Sequence, residues 1–435
     1  MATDEELRTA IPGLLQGTGY LHPGFGDLLR HDAVRLPAPA DAAAGSPYEP
    51  VIIHLTVTSK CYARCKGCIN AAITSPCHGD SRAGDRVAPT DARRDARAIC
   101  NLAAGTGNDE AVLCFYGGEP LLAVPAMCSV MDEVTGRCNG VAFRYMLYTN
   151  GDLLGQTVRD HADFIRGLWL ISVSIDGGLD QHDTTRIGTS LARIRDGLAA
   201  VRSVREGHVL MWSTLREEAS LFDCYREFRD LYDRGLVTQF FWHWVETEEP
   251  FADLDGYLRA YERDLRRVMD AYLAALAGGT VLPLVHINEL VYFALAGVRR
   301  SSSACGVELA ANYDLIDGKI HSCSDLPLSM AIGEMSGDGG ISFLPHDLTR
   351  LVDYKSVLGC PACGVHGYCG GRCPVQALAG SPLRLVQYCQ LMRLHVGVVL
   401  SRLADIERAM AGHGLTARDL YDRSAVFAQF TDVTP

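Results

Sequence analysis

Seven cysteines crowd one stretch of the chain, at Cys305, Cys323, Cys360, Cys363, Cys369, Cys373 and Cys389, and the residues between them are mostly glycine and turn formers. A segment this poor in apolar runs builds no large core, so its organisation depends on bound metal. The opening Met-Ala-Thr-Asp-Glu-Glu is acidic and has neither the positive patch nor the apolar run of a secretory signal, which points to the cytoplasm. In that reducing compartment, closely spaced thiols serve as metal ligands or catalytic groups rather than as a disulfide framework. An iron–sulfur module and a zinc-organised binding module both meet this description.

Upstream the pattern changes to alternation. Segments rich in β-branched and aromatic residues fall at 51–57, 111–116, 142–148, 168–174, 208–213 and 238–245. Between them, 122–134, 187–204, 221–232 and 254–276 have helical apolar spacing. Strands alternating with helices predict an α/β fold with a parallel sheet, here an incomplete (β/α)6 barrel of the TIM type with its chemistry at the C-terminal strand ends. The resulting division is an arm and linker over 1–50, the barrel over 51–250, connecting helices over 251–304, the cysteine-rich domain over 305–390 and a closing helix and tail over 391–435. The apolar window 281–298 is interrupted by His286, Asn288 and Glu289, which predicts a core helix and not a membrane span. With 40 basic residues against 52 acidic ones, the net charge of −12 argues against nucleic-acid binding.

Directly after the first strand stand Cys61, Cys65 and Cys68. Three thiolates on one loop can wrap a cubane cluster and leave one iron open to a small molecule with an amine and a carboxylate. A zinc knuckle or three core cysteines would read the same. The next strand ends carry Gly117-Gly118-Glu119-Pro120, Tyr148-Thr149-Asn150-Gly151 and Ser174-Ile175-Asp176-Gly177, in that order. This set resembles the radical S-adenosylmethionine family, and the seven later cysteines resemble its SPASM extension. The resemblance implies three [4Fe-4S] clusters. The first is held by Cys61, Cys65 and Cys68, an inner auxiliary one by Cys305, Cys323 and Cys373, and an outer one by Cys360, Cys363, Cys369 and Cys389. It also implies that S-adenosylmethionine lies against Gly117, Gly118, Glu119, Pro120, Asn150, Ser174, Asp176 and Arg186, with Glu119 accepting from its amino group and Ser174 or Arg186 holding the ribose or carboxylate. Gly67 departs from the aromatic residue frequent before the third cysteine. The inner set lacks a fourth cysteine, since residues 306–318 contain none, so its fourth iron is either open, to a substrate thiolate or carboxylate, or takes a non-cysteine ligand, for which His321 and Asp325 are the candidates.

The implied chemistry is reductive cleavage of S-adenosylmethionine and hydrogen abstraction by the 5′-deoxyadenosyl radical, with the auxiliary clusters accepting an electron. The leading substrate is a ribosomally made peptide, served by a reducing electron donor. The arm is too short for the winged-helix leader-binding domain of many peptide maturases, which weakens the peptide reading and leaves leader recognition to a separate leader-binding partner or to another surface. A free metabolite and a sulfatase-type residue are the alternatives, the latter weakened because Ser324 follows Cys323 and Asp325 comes one place later. His243, between Trp242 and Trp244, and Asp325 are the candidate catalytic residues; Glu246, Glu248 and Glu249 read as a solvated acidic loop. Cys100, Cys114, Cys128, Cys138 and Cys224 read as core packing, with Cys77 the one suspected of chemistry.

Overall fold

Six strands run parallel in chain order: β1 (Val51–Thr58), β2 (Glu110–Gly117), β3 (Val141–Thr149), β4 (Leu170–Ser174), β5 (His208–Leu215) and β6 (Gln239–Trp244). The register places Ile53 beside Leu113, Leu113 beside Tyr145, Leu147 beside Ile171, Met211 beside Val173 and Trp212 beside Phe241. The structure is a computed structural model, and it describes residues 26–38, 51–68, 70, 75–76, 87–246, 249–309, 312–374, 377, 381–428 and 435. Cys77 and Glu248, together with the apolar segment 11–15, lie outside the described residues.

Strand periodicity decides where the site forms. On one face, Leu113, Phe115, Leu147, Ile171, Val173 and Met211 pack under the helices α1 (Ala92–Gly105), α2 (Val124–Val134), α3 (Leu191–Val204) and α4 (Leu221–Asp233). On the other, Ile52, Val112, Met146, Leu170, Leu210 and Phe241 form a separate apolar plug inside the barrel. Toward the C-terminal ends the inward positions become His54, Tyr116, Tyr148, Trp212 and His243, which face a cavity instead. Helix starts follow side-chain caps: Asp91, Ser220 and Asp253 accept from the backbone N–H groups of Arg94, Asp223 and Gly256. The helix expected from 187 begins only at Leu191, because Arg186–Ile187 instead pair as an antiparallel ladder with Arg64–Cys65.

The barrel stays open, and its free edge carries the cysteine-rich region. β7 (Asn312–Ile316) joins β1 in parallel, with Tyr313 beside Ile53, and β8 (Lys319–His321), β9 (Gly333–Met335) and β10 (Ile341–Phe343) continue antiparallel. Beyond α5 (Leu254–Ala277), the core helix α6 (Val285–Ala296) is buried, and its polar residues each have a partner. Glu289 meets Arg300 at 2.6 Å, Asn288 accepts from the Tyr272 hydroxyl at 2.7 Å, and His286 Nε2 lies 2.5 Å from the Trp242 carbonyl. Instead of one closing helix from 391 there are three, α7 (Pro382–Leu400), α8 (Leu403–Gly412) and α9 (Ala417–Ala428); α7 starts early because Ser381 caps it and Pro382 suits a first turn. Tyr421 of α9 closes the barrel floor and stacks on Tyr292 at 4.6 Å.

Two further expectations are corrected. The arm is not all free linker: Leu36 is buried, its N–H donates to the Gly364 carbonyl, and the Gly364 N–H donates to the His31 carbonyl, so this segment straps the cysteine-rich region. Cys100 and Cys138 are not separate core residues but a disulfide, with Cα atoms 5.8 Å apart. The short ladder pairing Cys138 with Val141 brings it beside α1.

Candidate active site

One cavity of about 450 Å³ opens at the C-terminal ends of the strands, and both Cys61, Cys65 and Cys68 and the inner set Cys305, Cys323 and Cys373 line it. The first three sit on a loop that the barrel holds by backbone and buried charge. Gly117 has φ +131°, and a Cβ there would come within 2.2 Å of the Thr58 carbonyl oxygen; one on Gly118 would meet Lys60 O at 2.4 Å. Their N–H neighbours close the gap, Gly118 N donating to Thr58 O at 2.9 Å and Glu119 N to Lys60 O at 2.8 Å. The glycines therefore permit approach to the chain just before Cys61. Behind Cys65, Arg216 donates to the Lys66 carbonyl at 2.5 Å, and Asn70 Nδ2 donates to the Gly117 carbonyl at 2.9 Å. Gly67 adopts φ +57°, a left-handed turn that explains glycine in place of an aromatic residue.

Two of the expected S-adenosylmethionine contacts point elsewhere. The Glu119 carboxylate is fully buried and accepts from Leu121 N at 3.0 Å, Thr149 Oγ1 at 2.7 Å and Asn150 N at 2.8 Å, bracing one strand end against the next. Burial pushes its carboxyl up to about 7 against the pull of those hydrogen bonds. The Asp176 carboxylate is equally buried and faces Arg186 Nε at 2.7 Å, Arg216 Nη1 at 2.6 Å and Thr214 N at 2.8 Å. Burial would raise its carboxyl, but the two guanidinium charges outweigh that and hold it at about 2. Asp176 thus aims Arg186, whose Nη1 lies 3.9 Å from the Cys65 sulfur, and Arg216 at the cysteine loop. Gly117, Gly118, Pro120, Asn150, Ser174 and Arg186 do line the cavity. Asn150 accepts from the Tyr62 hydroxyl at 3.0 Å, while its buried Nδ2 has no hydrogen-bond partner among the described residues. A donor so placed fits a polar ligand such as S-adenosylmethionine. Arg216 and Asn70 escaped sequence reasoning; their signal, a lone arginine after β5 and an asparagine two places past Cys68, has no meaning without the fold.

Thiols grouped in this way suit soft metals and iron–sulfur clusters. Burial, with the charge of Glu119 and the other two cysteines, pushes the Cys61 thiol up to about 12 despite a backbone hydrogen bond, so a thiolate there needs a metal. Cys360, Cys363, Cys369 and Cys389 line a second hollow of about 40 Å³ with His31, Arg372 and Arg393. Arg393 Nη2 lies 3.6 Å from the Cys363 sulfur. Cys373 borders both hollows. Among the described residues no three cysteine, histidine or carboxylate groups converge to hold a single metal ion.

On the far side of the cavity, His243 Nε2 lies 3.4 Å from Glu246 Oε1, and Arg372 Nη2 lies 3.0 Å from the same oxygen. Glu246 is therefore not part of a solvated loop. Burial raises its carboxyl, but the hydrogen bond and charge of His243 and the charge of Arg372 outweigh that and hold it at about 2. Asp325 lines the cavity; His321 is buried but does not.

Residues 52–191 match the family described as a 4Fe-4S single cluster domain. The fold superposes on that of anSMEcpe with bound AdoMet at a TM-score of 0.65 and 14% identity, covering 88% of this chain and 100% of that one. Native anSMEcpe with bound AdoMet and the Cp18Cys peptide gives 0.60 at 15% identity, covering 82% and 99%. SuiB of Streptococcus suis bound to its precursor peptide SuiA gives 0.46 at 14% identity, covering 77% and 74%. No curated sequence matches. The chain has the fold of the radical S-adenosylmethionine enzymes, an open (β/α)6 barrel followed by a SPASM-like extension. Within it, the stretch matching the cluster domain contains the whole first cysteine loop. Among the described residues no helix is long and apolar enough to cross a membrane.

Proposed function

We propose that this protein is a radical S-adenosylmethionine enzyme that oxidises or crosslinks a residue of a peptide, with a low-potential reductant as electron donor. The observation that carries the reading is that one cavity is lined both by Cys61, Cys65 and Cys68 and by Cys305, Cys323 and Cys373, with His243 also in its lining. When bound, the cofactor and the clusters supply a 5′-deoxyadenosyl radical that takes a hydrogen atom from the substrate and accept the electron left behind. The residues do the positioning. Asn150 Nδ2 and Arg186 offer donors to the amino acid end of S-adenosylmethionine. Tyr116, Tyr148 and Trp212, whose rings meet edge-on at 5.6 Å and 5.7 Å, form a floor that excludes water below the reacting carbon. His243 takes the proton lost on oxidation, and Glu246, fixed by Arg372, stabilises the imidazolium.

The peptide reading draws support from the fold neighbour whose structure contains a bound peptide. The test is anaerobic incubation of reconstituted protein with S-adenosylmethionine, a strong reductant and the short peptides encoded beside its gene. The expected result is 5′-deoxyadenosine formed in step with a peptide lighter by two hydrogens. Turnover on a free metabolite with every peptide unchanged would move the substrate class, and stoichiometric zinc with little iron would reject the enzyme reading.

A further inference from the structure

The inner cysteine set has three members, and the cavity wall around it has one side chain without a task. Three carboxylates reach that wall: Glu246, Asp314 and Asp325. Glu246 is committed to Arg372 and His243. Asp314 lies 3.4 Å from His54 Nδ1 and accepts from Ser324. Asp325 accepts from the Ser324 side chain, yet its Oδ1 is sealed from solvent and has no hydrogen-bond partner among the described residues. A buried carboxylate oxygen in this condition is costly unless something positive completes it. Asp325 shares a turn with Cys323, whose sulfur accepts from the Asp325 backbone N–H, so the two side chains leave the same bend toward one cavity. His321, buried away from the cavity, is badly placed for the same duty. Ser322 Oγ is also buried and unpartnered among the described residues, but a neutral hydroxyl is a weaker ligand than an anionic oxygen.

Resting on the reading that Cys305, Cys323 and Cys373 hold an iron–sulfur cluster, we propose that Asp325 is the fourth protein ligand of that cluster, its Oδ1 on the iron the three cysteines leave open. Two consequences follow. The inner cluster has no free iron, so substrate does not ligate it and gives up its electron through space. A carboxylate also donates less electron density than a thiolate, so the cluster sits at a higher potential than an all-cysteine one would.

The experiment uses the full chain, reconstituted anaerobically, with and without Cys61, Cys65 and Cys68 replaced by alanine to remove the first cluster's signal. Iron content, the midpoint potential and the hyperfine coupling of added 13C-cyanide in the reduced state are the readouts. Intact protein is expected to show no cyanide coupling at the inner cluster. D325A is expected to show it or to lose one cluster's iron, and D325C to restore the iron, exclude cyanide and lower the potential. Cyanide coupling with Asp325 intact, or a D325A protein with unchanged iron and spectrum, overturns the proposal; so does S322A if it alone admits cyanide. C305A separates the two levels. If it leaves the iron content unchanged, the inner cage itself is wrong; if it removes one cluster while D325A changes nothing, only the Asp325 ligation is.

Discussion

The two walls of the cavity hold their cysteines by different means. The barrel wall is basic: Arg186 and Arg216, both fixed by Asp176, stand behind the loop of Cys61, Cys65 and Cys68, and backbone ladders tie that loop to Gly117, Gly118 and Ile187. Near Cys305, Cys323 and Cys373 the lining carries carboxylates instead, Asp314 and Asp325 from the extension and Glu246, paired with Arg372, from the end of the barrel. Beneath it Tyr313, Ile320, Val365 and Tyr368 join the barrel's core, and two small apolar groups stand apart, one around Val307, Leu326 and Leu351 and another around Tyr354, Leu358 and Leu385. Strand ends rooted in a long sheet can preform a cage and wait for metal; the short turns around Cys360, Cys363 and Cys369, with a small apolar group of their own, lean more on the metal for their order. The charges agree with that division. Arginines suit the carboxylate of an arriving cofactor, while carboxylates and thiolates together are stable only around a cation.

The largest effect should therefore come from stripping iron. Hydrogen exchange should reveal loss of protection over 354–373 down to that of fraying segments, with β1 to β6 unchanged; equal loss in both regions would mean that the barrel too depends on its cluster. Next in size is D176N, which leaves two buried guanidinium groups short of a counter-charge. It should cost about 3–5 kcal/mol in denaturant unfolding and loosen the cysteine loop. The same carboxylate gives the barrel a pH signature. Its folded pKa of about 2 lies below the unfolded value, so the stabilisation is complete at neutral pH and is lost as pH falls from 3.8 through 2. D176N should flatten that part of the acid limb measured on iron-free protein.

Breaking the Cys100–Cys138 link, which closes a loop of sequence separation 38, should cost about 3–4 kcal/mol of barrel stability. Thermal unfolding of C100A/C138A, and of the native protein under reductant, should agree; a reductant-insensitive melting temperature would show that the thiols are unpaired in solution. A smaller and more local loss belongs to N150A. Removing the buried Nδ2 donor should weaken S-adenosylmethionine binding by roughly 10-fold to 100-fold in calorimetry while leaving iron content alone.

Much of this was legible in the sequence for a physical reason. Strand–helix alternation writes itself as apolar periodicity, so the six strands could be placed from Val51 to Trp244, and ligand cysteines announce themselves by spacing. What stayed hidden were side chains whose direction depends on a neighbour far along the chain. Glu119 and Asp176 sit in motifs that suggest ligand contact, yet each turns inward because Asn150 and Arg216 stand where only the folded barrel puts them. Cys100 and Cys138 read as two isolated small apolar residues until α1 lies over the turn before β3. The strap of residues 28–37 carried no periodicity at all; its order comes from Gly364 and Arg393, more than 300 positions away in sequence.

The same cysteine loop offers one last contrast, between a buried and an exposed anchor. Lys66 lends its carbonyl to Arg216 inside the protein and its ammonium to Glu218 outside, at 3.3 Å, where both side chains are more than half exposed. Water and salt screen the outer pair, and ordering two flexible side chains offsets what attraction remains, so E218Q should cost under about 1 kcal/mol and leave S-adenosylmethionine cleavage unchanged. R216M, which removes the inner anchor and leaves the Asp176 charge to Arg186, should disturb the loop far more and broaden the first cluster's spectrum. If the two variants had equal effects, the loop would be held from the solvent side, and the preformed cage attributed to the barrel wall would lose its physical basis.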